Sequence, residues 1–388
     1  MRPQRPAPLT GVRPARRPAG ASVVRRGPVP GWCNGRVPTA DLDPAEPAPD
    51  PAGAAAPGTA SETGSGAVAG VAEAVAEAQR VVVGQRAMVE RLAVAVLARG
   101  HVLLEGVPGT AKTLAARSFA TVLGGSFTRV QFTPDLVPSD IVGTRIWSPA
   151  TERFSVELGP VFTNVVLADE INRAPAKVQA AMLELMGERQ VSLAGQTHAV
   201  PEPFTVIATQ NPVESEGVYP LPEAQRDRFL LQVDVPLPGA ADEAEILRRM
   251  SVAPPRAREV LEPARVLELQ AAADGVYVHP LVSDYVVRLV MATRAPAAYG
   301  APDVAPLLES GASPRASLGL LAASRALALV RGRDHVLPDD VRELAVEVVA
   351  HRLVLSLDAL ADGVAAQEVV ARLVAVVPPP VPVGGPRR

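Results

Sequence analysis

One stretch constrains this chain more than any other: Gly106-Val107-Pro108-Gly109-Thr110-Ala111-Lys112-Thr113. It follows a short apolar run, His101-Val102-Leu103-Leu104-Glu105. It opens a segment with helical character from about Thr113 to Leu123, which Gly124-Gly125 ends. A glycine-rich turn between a buried strand and a helix is the setting a phosphate-binding loop requires. Glycines let backbone N–H groups approach phosphate oxygens, and the helix N-terminus adds free donors and the positive end of its dipole. The basic residues sharpen the reading. Of the 38 Lys+Arg, only Lys112 and Lys177 are lysine. A compact ammonium suits a terminal phosphate where a planar guanidinium fits poorly. Thr113 then offers a hydroxyl to Mg²⁺, and Leu114 continues the loop into its helix. Ala111 stands where the last glycine of the general pattern is usual. It costs little at negative φ and strains the loop at positive φ.

Further constellations follow at strand ends. Asn164-Val165-Val166-Leu167-Ala168-Asp169-Glu170 is a buried strand closed by two acids. Successive strand side chains point opposite ways, which would give Asp169 and Glu170 different roles. Asp169 would hold Mg²⁺ with Thr113, and Glu170 would act as general base on an attacking water. Thr209-Gln210-Asn211-Pro212 closes another strand, where open α/β sheets bind ligands, and Asn211 could orient the water or a phosphate oxygen. In Glu223-Ala224-Gln225-Arg226-Asp227-Arg228-Phe229, an arginine is either an ordinary surface charge or one that reaches a neighbouring subunit. Gly311-Ala312-Ser313-Pro314-Arg315-Ala316 opens a helix with Pro314 at its first position and a cation, Arg315, against the dipole.

The strands alternate with helices up to Pro236, which predicts an α/β fold with a parallel sheet covered on both faces. Val165–Ala168 reads as a strand buried on both faces, and Phe204–Thr209 and Leu230–Val235 as further buried strands. Pro175–Glu188 is a helix with Val178, Met182, Leu185 and Met186 as its core stripe. From residue 242 onward the pattern is helical, and the strands are expected to stop. The organisation expected is a disordered Pro/Ala/Arg-rich tail over 1–66, a nucleotide-binding α/β domain over 67–238, a helical lid over 239–376 and a second tail over 377–388. In the first tail, Arg2, Arg5, Arg13, Arg16, Arg17, Arg25, Arg26 and Arg36 precede a purely acidic half. That segment could tether to an anionic surface or nucleic acid.

Composition excludes other classes. A net charge of −3 argues against a globally basic nucleic-acid binder. A lone cysteine, Cys33, excludes a disulfide framework and a multi-cysteine zinc site. No uncharged apolar run reaches membrane-spanning length, and no secretory leader is expected.

Together these residues resemble the MoxR family of AAA+ ATPases over roughly residues 67–375. That family's phosphate loop commonly reads GxPGxAKT, so Ala111 fits it. Gln131 to Asp140, Gly159-Pro160-Val161-Phe162 and Asp169-Glu170-Ile171-Asn172-Arg173-Ala174 are similar to family stretches. The resemblance implies a P-loop αβα fold with a helical lid, and hydrolysis of ATP with Mg²⁺. It implies Asn211 as sensor 1, Arg315 as sensor 2, Arg228 (or else Arg226) as the finger acting in trans, and Val83-Gly84-Gln85 beside adenine. Gln131–Glu157 resembles the family's insert in helix 2, and Val191–Val200 reads as a hairpin. It further implies a cytoplasmic ring, usually a hexamer, and chaperone-like remodelling or maturation of a client with a von Willebrand A-domain partner. The alternative is a DNA-acting AAA+ protein such as a helicase loader. Against it, the folded part has no helix-turn-helix, zinc module or basic run. A third alternative is a nucleotide-gated scaffold with negligible hydrolysis, which the intact Asp169-Glu170 pair opposes.

Overall fold

A computed structural model describes residues 60–149, 152–193, 195–211 and 218–380. Residues 1–59 of the tail expected over 1–66, residues 381–388 of the tail expected over 377–388, and Pro212 lie outside the described residues. Two helices, α1 (Ala60–Val81) and α2 (Arg86–Leu97), lead into β1 (Val102–Glu105) and α3 (Lys112–Val122). The first helix begins ahead of the boundary expected at 67. Next come β2 (Phe127–Gln131), α4 (Pro138–Val142), β3 (Gly143–Ser148), β4 (Arg153–Leu158) and β5 (Val165–Asp169). They are followed by α5 (Ala176–Glu188), β6 (Gln190–Leu193), β7 (Gln196–Ala199), β8 (Thr205–Gln210), α6 (Glu223–Arg226) and β9 (Leu231–Asp234). The lid holds α7 (Ala240–Met250), α8 (Pro263–Asp274), α9 (Pro280–Arg294), β10 (Leu308–Ser310), α10 (Pro314–Val330), α11 (Pro338–Val349), β11 (Val354–Leu355), α12 (Leu357–Ala361) and α13 (Ala366–Val376).

Five strands form one sheet in the order β2-β5-β8-β1-β9, and every pairing in it is parallel. A parallel sheet brings all its carboxyl ends to one edge. Here β5, β8 and β1 are neighbours, so Asp169, Gln210 and Glu105 end side by side. The apolar runs divide by strict alternation. Val102, Leu104, Val165 and Leu167 enter the core under α1, α2 and α3, while Leu103, Val166, Ala168 and Val206 enter the core under α5. Strands buried on both faces need this continuous apolar character. The first core runs without a break into the lid, through Leu320, Leu327, Leu344 and Leu373.

The lid is helical as expected, with one addition: β10 and β11 pair antiparallel, so the strands do not stop at Pro236. Ser313 and Ser356 cap α10 and α12 through their side-chain oxygens. Arg91 of α2 is buried and bonds Glu343 at 2.9 Å and Glu347 at 2.5 Å on α11, fastening the lid to the sheet domain. The hairpin expected around Gly195 is β6–β7. The stretch 131–157 carries the end of β2, the short α4 and most of the hairpin β3–β4. Strand β2 itself was not anticipated. Among the described residues, no helix is long and apolar enough to cross a membrane.

Candidate nucleotide-binding site

The turn between β1 and α3 folds as its glycines dictate. A side chain at position 106 would meet the Val235 carbonyl oxygen at 2.5 Å, and Gly109 sits at φ +88° with open space beside it. Both positions therefore call for glycine. Ala111 takes φ 63°, ψ 20° as the residue preceding α3 and supplies no side-chain cap. The first-turn amides of α3 thus remain available to an anion. The positive φ resolves the question left by the sequence: alanine is strained here by about 1 kcal/mol. Thr110 braces the turn through a 3.0 Å bond from Oγ1 to the Val107 carbonyl. The Lys112 ammonium donates to the carbonyls of Gly106 and Val107. Burial lowers its pKa, against the nearby carboxylates of Asp169, Glu170 and Glu105, which raise it.

The acids are held from several sides. Asp169 Oδ1 accepts from Thr209 Oγ1 at 2.5 Å, and Oδ2 lies 3.4 Å from Thr113 Oγ1. Arg129 on β2 also takes Oδ2, through Nε at 2.9 Å and a terminal nitrogen at 2.7 Å. Glu170 is not on the strand. It adopts a left-handed conformation, φ 57°, ψ 49°, immediately beyond it. Strand alternation therefore does not separate the two carboxylates; a backbone kink does. That kink is braced where the Glu170 amide donates to Thr209 Oγ1 at 2.9 Å. The Glu170 carboxylate accepts from Gln131 Nε2 at 2.6 Å and pairs with Arg173 at 3.2 Å. At the end of β1, Glu105 accepts from Gln232 at 2.7 Å, and burial pushes its carboxyl up.

Pro108, Gly109, Thr110, Ala111, Lys112, Thr113 and Leu114 line one cleft of about 450 Å³ together with Arg129, Asp169, Glu170, Thr209, Gln210 and Asn211. That volume suits a small molecule. Gly106 and Val107 lie behind it, offering carbonyls to Lys112. The other expected site residues do not line this cleft. Val83 and Gly84 line a separate hollow of about 370 Å³ with Asp242, Glu245 and Arg249. The Gln85 amide is buried and donates to the Pro236 carbonyl at 2.8 Å. Arg228 lies alongside Gly187 of α5. Arg315, with 62% of its side chain exposed, faces Asp227 at 3.5 Å. Sequence reasoning missed Arg129, because β2 was not recognised. Its register against β5, with Gln131 opposite Asp169, is what carries Arg129 and Gln131 to the acids.

A family model described as "ATPase family associated with various cellular activities (AAA)" matches residues 101–231, and an AAA lid domain model matches 300–373. The chain is 57% identical over 299 residues to Chaperone MoxR1 of Mycobacterium tuberculosis, covering 77% of this chain and 79% of that protein. The chain belongs to the MoxR family of AAA+ ATPases. It is also 38% identical to Protein MoxR of Paracoccus denitrificans over 71% of this chain and 86% of that one. A solved structure of a candidate ATPase from Cytophaga hutchinsonii superposes with a TM-score of 0.78 at 41% identity, covering 82% of this chain and 98% of that one. As a MoxR-family member the protein is an ATPase with a nucleotide-binding α/β domain and a lid.

Proposed function

We propose that this ATPase hydrolyses ATP with Mg²⁺ as a cytoplasmic homo-oligomeric ring, a hexamer. In this reading, hydrolysis drives chaperone-like remodelling or maturation of a client protein, with a von Willebrand A-domain protein as partner. The observation that carries the chemistry is the single cleft shared by Lys112, Thr113, Asp169, Glu170 and Asn211. A hydroxyl and a carboxylate 3.4 Å apart form an oxygen donor set suited to Mg²⁺. No group of three or more His, Cys, Asp or Glu among the described residues offers a competing cage. A metal that borrows its remaining ligands from phosphate and water fits that arrangement. Bound Mg²⁺ would neutralise charge on the phosphates.

The residues divide the remaining work. Lys112 exchanges its loop carbonyls for phosphate oxygens. Backbone amides of 109–113 cradle the chain of phosphates. Glu170 takes a proton from the attacking water, and Asn211 orients that water. Arg228 of a neighbouring subunit, or else Arg226, meets the terminal phosphate from outside. Arg315 carries nucleotide state to the lid, and Val83-Gly84-Gln85 borders the base. Small shifts at the subunit boundary would become movement of the client.

The test is Mg²⁺-dependent ATP turnover by the full chain and its Lys112→Ala variant, with sedimentation to read assembly. Loss of turnover in the variant and a nucleotide-dependent ring are expected. Unchanged turnover by Lys112→Ala would remove the proposal.

A further inference from the structure

Between the two candidate finger arginines stands an acid that nothing above uses. Asp227 follows α6 directly, flanked by Arg226 and Arg228. Among the described residues, the side chains bonded to or paired with its carboxylate belong to the lid. Oδ1 accepts from Arg352 Nε at 2.8 Å. Oδ2 lies 3.4 Å from Ser313 Oγ and 3.5 Å from the Arg315 guanidinium. Ser313 is itself the cap of α10 and accepts from the Arg315 amide at 3.3 Å.

The two arginines hold this acid very differently. The Arg352 side chain is 4% exposed. It also donates to the Phe229 carbonyl at 2.7 Å and to the Val348 carbonyl, clamping the loop after α6 onto the lid. Separating that buried pair would strand a charge out of water, which is strongly unfavourable. The Arg315 contact is longer and lies at the surface, where an ion pair contributes little and exchanges freely. One oxygen of Asp227 is therefore fixed and the other can change partner.

We infer that Asp227 is a positioning residue, a latch that holds Arg315 while the terminal phosphate is absent and releases it when that phosphate arrives. The latch sits in the same turn as Arg226 and Arg228. Departure of Arg315 would loosen the arginine-bearing loop, leaving it to Arg352 and Ser313 at Asp227 and to His351 at the Phe229 carbonyl. The nucleotide that Arg315 contacts would thereby alter the arginines of the loop bearing Arg226 and Arg228. The inference rests on the proposed ATP site, and in particular on Arg315 as the lid's phosphate contact.

If Asp227 competes with phosphate for Arg315, removing its charge should tighten nucleotide binding by roughly two- to five-fold, the strength of an exposed ion pair. The measurement is the Kd of a fluorescent, non-hydrolysable ATP analogue for the full chain and for Asp227→Asn, Asp227→Glu, Arg315→Ala and the Asp227→Asn/Arg315→Ala double variant. Asparagine keeps an oxygen for Arg352 Nε, and a melting curve checks folding. The expected result is tighter binding by Asp227→Asn, wild-type binding by Asp227→Glu, and no effect of Asp227→Asn once Arg315 is alanine. An equal shift in both backgrounds, no shift, or weaker binding overturns the latch. Should Asp227→Asn fail to fold, hydrogen exchange at amides 227–229 of the wild-type chain decides instead. Exchange there should quicken when the analogue binds; unchanged exchange with bound analogue overturns the latch alone. Failure of the wild-type chain to bind the analogue removes the ATP reading and the latch with it.

Discussion

His101 offers a prediction whose size follows from its surroundings. It stands just before β1, at the strand end opposite the phosphate loop, and is 5% exposed. The Val206 amide donates to Nδ1 at 3.0 Å, so the ring proton sits on Nε2, which donates to the Met186 carbonyl at 3.1 Å. Protonating Nδ1 would oppose an N–H with another N–H. Burial, with help from Arg189, pushes the imidazole down to about 4 from 6.5. An unfolded chain takes up this proton near pH 6.5 and the folded chain only near pH 4. Stability is therefore intact above pH 6.5 and falls as pH drops through that window, by about 3 kcal/mol in all at about 1.4 kcal/mol per unit. Between pH 7 and 5.5 the loss from this group is about 1 kcal/mol. Glu77 and Glu343 are held below the usual carboxylate range by their arginines, so their losses begin at lower pH. His351 is also pushed well down by burial and is cancelled by comparing variants. The assay is the urea midpoint at both pH values for wild type and His101→Asn. The variant should lose less stability than wild type by about 1 kcal/mol. Equal pH dependence in the two proteins would refute the reasoning.

Two further outcomes concern the cleft. Ala111→Gly should stabilise the fold by about 1 kcal/mol, read by denaturation, because glycine takes φ 63° without penalty; a destabilised variant would contradict the strain assigned there. Arg129→Gln should tighten binding of Mn²⁺, followed by its paramagnetic resonance in the presence of nucleotide, by a few-fold, because Arg129 pairs with the Asp169 oxygen nearest Thr113. Weaker or unchanged Mn²⁺ affinity would show that Arg129 does not compete with the cation.

Much of this architecture was legible in the order of residues. Apolar runs at β5 and β8 are buried on both faces, so they read as strands from hydrophobicity alone; β9, expected to be another buried strand, lies at the sheet's edge and buries Leu231 and Val233 while Asp234 is exposed. The Met182 and Met186 stripe of α5 obeys helical spacing. The phosphate loop was legible because its chemistry demands particular residues in sequence. The rest depended on tertiary placement. Strand β2, Phe-Thr-Arg-Val-Gln, buries only Val130 at the sheet's edge, so it carries no apolar signature, and Arg129 went unrecognised with it. The pairing of β10 with β11 involves too few residues to leave a pattern. The left-handed turn at Glu170 is invisible to a periodicity argument, because it begins where the strand ends. Arg228 and Arg315 stand in motifs of their own, and neither lines the cleft; Gly187 lies beside Arg228 and Asp227 faces Arg315 instead.

The central claim is that Lys112, Thr113, Asp169 and Glu170 surround the terminal phosphate of one nucleotide, with Glu170 serving only the chemical step. Measuring ATP affinity and single-turnover hydrolysis side by side for Glu170→Gln tests it most directly. Near wild-type affinity with hydrolysis slowed by roughly 10²–10⁴ is the predicted result. Hydrolysis within a few-fold of wild type would contradict it.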